Sequence, residues 1–543
     1  MVSGKLTRPA PLGARELLTR ILDQPNLVAA IESLPAPALG KLINHFGLED
    51  AGEIVALATT DQIRRIFDDD LWRSERPGKD EAFDADRFAL WLEVMLEAGE
   101  EFAANRLADL PEDLVTLALQ KQVLVINIEE MAVAMSNRQS DDDAMLEKAL
   151  ESCLCEEIGE YRIISRRHAG WDAILSVLLA LDRDHHDYLA RMLDRCCYAA
   201  AEYIEENGGL YHVLTYEEML EADAAAERED RRAEEGYIPP SSAASFLALA
   251  RITGLAEIIR STERDPITKA YFRGLRTQAS APATRAQAKG AEPAVDPAGA
   301  REAARLVELL RDAEVLPKAQ AMALLASPQE GDRGEDEGIL GPAMRRLAAR
   351  AAGDHARRME ELAFLANVLA AGCSIEGRAM RPAEAARAAV AVCDLGLDHL
   401  VEGEAKTVDG ALAEGADKLF RVGWRLLAQE VAGPAARKLE AILVQAHGKD
   451  RAVDQALARA VAVLHSALAA GKPWTARNKL AVLRELGEPA AATALLSLID
   501  ECPHLGRVLT GTASARKPGA AGELEFISTG EQLRSVKAFL RQA

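Results

Sequence analysis

Residues 26–72 read NLVAAIESLPAPALGKLINHFGLEDAGEIVALATTDQIRRIFDDDLW. Breaks fall at Pro35, Gly47 and Thr59-Thr60, where proline, glycine and hydroxyl residues interrupt helical periodicity. Each piece between them carries its own apolar face: Leu27, Ile31 and Leu34; then Leu39, Leu42, Ile43 and Phe46; then Ile54 and Leu57; then Ile63, Ile66 and Phe67. Helices this short do not persist alone in water, because nucleation costs more than one or two turns return. They must stack side by side, as helix-pair solenoids do. The stretch therefore predicts an all-α fold that opens with a stacked short-helix superhelical array.

The same periodicity continues outward. Residues 84–98 place Phe88, Trp91, Leu92 and Met95 on one helical face. Ser140 followed by Asp141, Asp142 and Asp143 predicts a cap with an acidic first turn. Thr215 with Glu218 predicts a capping box, and Pro239-Pro240 a stop and restart before a helix over 243–252. Strand signals are few. The run 122–128 lies in a longer helical pattern and is expected to be helix; 161–165, YRIIS, is the one place where a short strand competes. The second half is Ala-rich, with helices expected over 301–315, 343–371, 382–401, 409–431, 434–447, 451–470 and 474–487, and a last one over 531–541. Short connections and small faces predict an Ala-rich helical bundle or array. Residues 276–300 are Ala/Pro-rich and nearly free of large apolar side chains. The expected organisation is thus an acidic helical domain over 1–275, a linker over 276–300 and a second helical domain over 301–543.

Composition narrows the function. The chain has 543 residues, more than the roughly 250–300 a single core sustains. At 49% apolar it is too hydrophobic to be mainly disordered. Seven cysteines, sparse and odd in number, argue against a disulfide framework. The net charge is -22, and all of it falls in residues 1–278, which hold 52 acidic and 30 basic side chains. That half repels phosphate backbones, so nucleic acid is not the expected partner, and a basic protein is. The longest apolar runs, 173–181 and 362–373, fall short of the ~20 residues that span a bilayer. No secretory pattern precedes Pro9 and Pro11, so no membrane insertion and a cytoplasmic location are expected.

Leu34-Pro35, Leu42, Gly47-Leu48-Glu49-Asp50-Ala51, Leu57 and Asp61-Gln62-Ile63 resemble the cytosolic superhelical N-domain of magnesium transporters. A second set is similar to an uncharacterised family of bacterial proteins of about this length: Asp61-Gln62, Asp69-Asp70-Leu71-Trp72, Trp91-Leu92, Gly236-Tyr237-Ile238-Pro239-Pro240 and Leu419-Phe420-Arg421-Val422-Gly423-Trp424. The first resemblance implies cation-dependent regulation through acidic surfaces, but the chain lacks the membrane segments such a domain gates. The second implies a shared architecture over most of the chain and no activity.

Four clusters invite chemistry. Asp182 and His186 are four apart, which on one helix puts two metal-ligand types on one face; the competing reading is a polar cap after an apolar run. Cys153, Cys155, Cys196 and Cys197 lack the two-to-four-residue spacing of structural zinc pairs and are expected to be core. Acidic runs, Asp68, Asp69 and Asp70 among them, lack the alternation of a calcium loop. Basic residues around Trp474 suggest single-strand stacking less readily than a helix start. No phosphate-binding, zinc-protease or nucleophile-elbow motif occurs, and no catalytic residue or resident cofactor is assigned. The expected function is a non-enzymatic scaffold or adaptor that binds a protein partner, with Asp68, Asp69 and Asp70 as the interaction tip. The alternatives are a divalent-cation-responsive regulator and a metal-dependent enzyme built on Asp182 and His186.

Overall fold

A computed structural model describes residues 14–24, 26–74, 76–129, 153–200, 216–234, 236–261, 263–272, 297–313, 315, 338–404, 406–447, 490–505 and 524–542. Of these, 73% are helical, in 22 α-helices, and the sheets have only two or three strands. The all-α expectation holds. The expected helices over 451–487 lie outside the described residues, as do Trp474, the Ser140–Asp143 cap and most of 276–300.

The described residues fall into two compact units. The first draws on Met1–Arg73, Ala82–Arg232 and Pro282–Lys318; the second on Ser74–Glu81, Ala233–Ala281 and Ala319–Ala543. Each has its own apolar core.

In the first unit the short helices form where punctuation and periodicity place them: α1 (Leu27–Glu32), α2 (Ala36–Phe46), α3 (Gly52–Leu57) and α4 (Thr60–Asp70), followed by α5 (Ala85–Glu97). Pro35 and Gly47 flank α2, the first with φ preset for a helix start, the second at φ 89, a conformation that favours glycine. Thr59 and Gln62 form a reciprocal capping box at the start of α4. The Gln62 side chain is itself buried, and its amide donates to the carbonyls of Ile31 and Leu34, both at 2.7 Å. One side chain thereby caps its own helix and satisfies the end of α1. Phe67 of α4 meets Trp91 of α5 edge-to-face at 5.0 Å between ring centres, which closes the core of this layer.

A three-stranded antiparallel sheet follows: β1 (Val123–Asn127), β2 (Cys155–Ile158) and β3 (Tyr161–Ser165), in the order β1-β3-β2. The expected helix over 122–128 is therefore corrected to a strand. The helix Glu112–Gln122 ends where Val123 adopts extended backbone, and the amide of buried Gln122 bonds the Ala85 carbonyl. Val123 pairs with Ser165 and Val125 with Ile163, so apolar side chains that fit a helical stripe instead line one face of a ladder.

The second unit is built on long helices: α6 (Pro240–Ile252), α7 (Ala352–Gly372), α8 (Pro382–Glu402), α9 (Ala416–Leu426) and α10 (Gly433–His447). The expected single helix over 343–371 is broken at Ala351, and the one over 409–431 at Gly415, whose φ is 107. Buried Glu361 of α7 caps the restart, accepting the Ala416 N–H at 2.8 Å. Between α9 and α10 the chain does not break as expected. It passes through a π-helical turn, Leu427–Ala432. Pro434 supplies the reason: its ring excludes an ordinary helical carbonyl four residues earlier and it donates no N–H, so the preceding turn widens. α8 and α9 pack through glycines. A β-carbon on Gly396 would fall 1.9 Å from the Leu419 carbonyl oxygen, and one on Gly423 would fall 2.0 Å from that of Val392.

Candidate functional site

The three aspartates at the end of α4 are drawn into the fold. Asp68 is buried and accepts from both arms of Arg231, at 2.9 and 2.7 Å, while the Arg228 guanidinium bonds its backbone carbonyl. Asp70 accepts from Arg87 Nε and Trp91 Nε1, each at 2.7 Å. Asp69 is exposed but lies 3.1 Å from Arg232. Asp68 and Asp70 thus tie α4 to the helix Tyr216–Glu234 and to α5, and are not displayed as a tip. The pairing holds the Arg231 guanidinium above its ordinary range, chiefly through its bond to Asp68.

Asp182 and His186 do come together, with Nδ1 of the imidazole 2.9 Å from Oδ1. They belong to consecutive helices, Trp171–Asp184 and the one starting at His186, rather than to one. His186 is exposed and Asp182 half-buried, and no group of three His, Cys, Asp or Glu side chains with metal-binding geometry occurs among the described residues. The cysteine expectation is corrected in part. Cys196 is buried and Cys197 half-buried, whereas Cys155 is exposed on β2, an edge strand of the sheet, and Cys153 is exposed just before it.

A different acidic surface emerges from the packing of α3 against α5. Glu97 of α5 lies against the start of α3, with its Oε2 2.3 Å from where a β-carbon on Gly52 would sit. Glu49, Asp50 and Glu53 lie at that start, and Glu93 one turn back on α5. All five are exposed, and none has an ion-pair partner among the described residues. Periodicity marks them only as polar; it takes the fold to collect them.

The second unit holds a buried polar seam that no local motif announces. Arg251, at the end of α6, donates to the Glu501 carbonyl at 2.9 Å and stacks on Trp424 of α9. Glu501 accepts from Ser374 N–H at 2.5 Å, Asp500 from Glu376 N–H at 2.7 Å, and His504 bonds the Cys502 carbonyl. Burial pushes the Arg251 guanidinium down and the Glu501 carboxyl up, and it holds the thiols of Cys373 and Cys502 well above the ordinary thiol range. These thiols are protonated and unreactive at neutral pH. The carboxylates here cap the hairpin of β4 (Ser374–Ile375) and β5 (Arg378–Ala379), whose turn residue Glu376 has φ 51.

Residues 5–248 match the model of a family of unknown function, DUF6178. The match covers the short helices, the sheet and most of α6, and it ends before the 419–424 motif that shared the sequence likeness to an uncharacterised family. No curated protein and no solved structure matches the chain, so neither comparison returns a magnesium-transporter domain. Among the described residues no helix is long and apolar enough to cross a membrane.

Proposed function

We propose that the chain is a non-enzymatic helical scaffold or adaptor that binds a basic protein partner through the α3–α5 face of its first unit. The observation that carries this reading is a contrast in how acids are used. Asp68 and Asp70 are paired with arginines inside the unit, whereas Glu49, Asp50, Glu53, Glu93 and Glu97 remain exposed and unpaired on neighbouring helix ends. Like charges held together by packing raise the local potential, which steers an oppositely charged partner and fixes its register. The resemblance of residues 26–72 to the superhelical domain of magnesium transporters supports a related reading, a regulator that responds to divalent cations through this acidic surface as a whole, since no three-ligand site is formed among the described residues.

Affinity capture of the tagged chain from its native lysate, at low and high salt, tests the first reading. The expected result is a near-stoichiometric basic protein that is lost at high salt and lost from a variant combining Asp50→Asn, Glu53→Gln, Glu93→Gln and Glu97→Gln. A partner retained by that variant, or none at all, overturns it. A melting temperature that rises with magnesium in the native chain, and not in the variant, selects the cation reading instead.

A further inference from the structure

Arg421 of α9 is 9% exposed, and its guanidinium makes no hydrogen bond among the described residues. Its Nε is sealed from solvent without a partner, and the terminal nitrogens keep what exposure the side chain retains. Asp417, one turn earlier, feels the Arg421 charge but makes no contact of ion-pair length with it among the described residues. Each Asp417 oxygen is engaged elsewhere: one accepts from Thr268 Oγ1 at 3.1 Å, the other from the Asp265 N–H at 3.3 Å. One turn later Arg425 repeats the pattern. It gives one terminal nitrogen to the Arg251 carbonyl, and its Nε is again buried without an acceptor. Buried donors are almost always satisfied by protein, ordered water or ligand, and a guanidinium has five of them in a fixed fork. Two such side chains, four residues apart on one helix, share a face.

We infer that Arg421 and Arg425 form a binding site in the second unit for a small oxyanion, a phosphate or carboxylate group. Two oxygens of such a group match the spacing of the guanidinium donors and supply acceptors that α9 and its neighbours do not. Asp417 does not oppose this strongly. Its carboxyl is turned onto Thr268 and Asp265, and burial makes its neutral form easier to reach. Other charged groups near α9 are engaged elsewhere: Lys418 with Glu414 at 2.6 Å, Arg264 and Arg358 with Glu361, and Arg251 with the Glu501 carbonyl. The site is independent of the acidic face and of the partner it binds.

Isothermal titration of the full chain with inorganic phosphate, and separately with succinate, at ionic strength fixed by sodium chloride, tests the site. Saturable one-to-one binding of either is expected, and which one binds tells a phosphorylated ligand from a carboxylic acid. Arg421→Gln is expected to weaken it by about tenfold or more, the usual loss for a charge-assisted hydrogen-bond pair. Arg425→Gln, which sits nearer the surface, keeps the question answerable should Arg421→Gln not fold; it is expected to weaken the same binding. No saturable binding of either anion to the native chain overturns the site, as does binding that both variants retain unchanged.

Discussion

Asp68 shows how far a single residue's meaning depends on what folds against it. In the sequence it opens a run of three acids, which reads as a solvated helix end. In the structure its side chain is 7% exposed and clasped by Arg231, from 163 residues further along the chain. No local pattern carries that separation, so its role was not legible. Gln62 was legible in one of its two roles. The Thr59–Gln62 spacing announces a capping box, but the bonds from its amide to Ile31 and Leu34 depend on α1 packing beneath α4. The difference between the neighbouring aspartates is measurable. Asp68→Ala removes one partner of a buried pair and strands Arg231, so it is expected to cost about 2–3 kcal/mol in urea unfolding, reduced from the fully buried case because Arg231 is partly exposed. Asp69→Ala removes a carboxylate that is 64% exposed, so the pair is largely screened on that side, and is expected to cost about 1 kcal/mol or less. Equal costs for the two would contradict the burial that separates them.

At the scale of elements, helices were readable wherever punctuation is local. Pro35, Gly47 and the Thr59 cap act on their own neighbours, and α1 to α4 fall between them. The strand β1 was not readable, because its apolar residues serve a helical stripe and a ladder equally well, and its partner β3 lies beyond a stretch of other sequence. The joins around α9 were misread for a related reason. Pro434 looks like a helix stop, yet a π-turn absorbs it and the helix continues. The Gly residues of α8 and α9 gave no sign in a single sequence that they mark the closest helix approach. Their consequence is sharp. Gly423→Ala would set a methyl group 2.0 Å from the Val392 carbonyl oxygen, a backbone atom that cannot rotate away. The helices must separate, with loss of packing along their length and an expected cost of about 3 kcal/mol or more, read as a lower denaturation midpoint. A conserved midpoint would mean that α8 and α9 are not held at this distance. Gly353, with nothing within 4 Å of its β-carbon position, is the matched control, and Gly353→Ala is expected to be neutral or slightly stabilising.

For the molecule as a whole, charge and composition pointed to more than one core, and two apolar clusters are present. One runs from Leu17 to Ala313 in residue number, the other from Ile238 to Leu540, and their residue ranges overlap because each unit is drawn from separated stretches. A sequence read from end to end places boundaries between neighbours, whereas a unit recruits whichever helix buries its face. The helix Pro297–Asp312, which follows the Ala/Pro-rich stretch, packs on α1 near the other end of the chain. Separate cores predict separate melting, since cooperativity is a property of a shared core. Differential scanning calorimetry of the native chain is expected to resolve two transitions. Gln62→Ala leaves the buried carbonyls of Ile31 and Leu34 without their donor, a cost of about 2 kcal/mol, and is expected to lower one transition. Gly423→Ala is expected to lower the other. Each substitution must leave its counterpart transition in place; a single transition that either one shifts would show that the two clusters unfold as one.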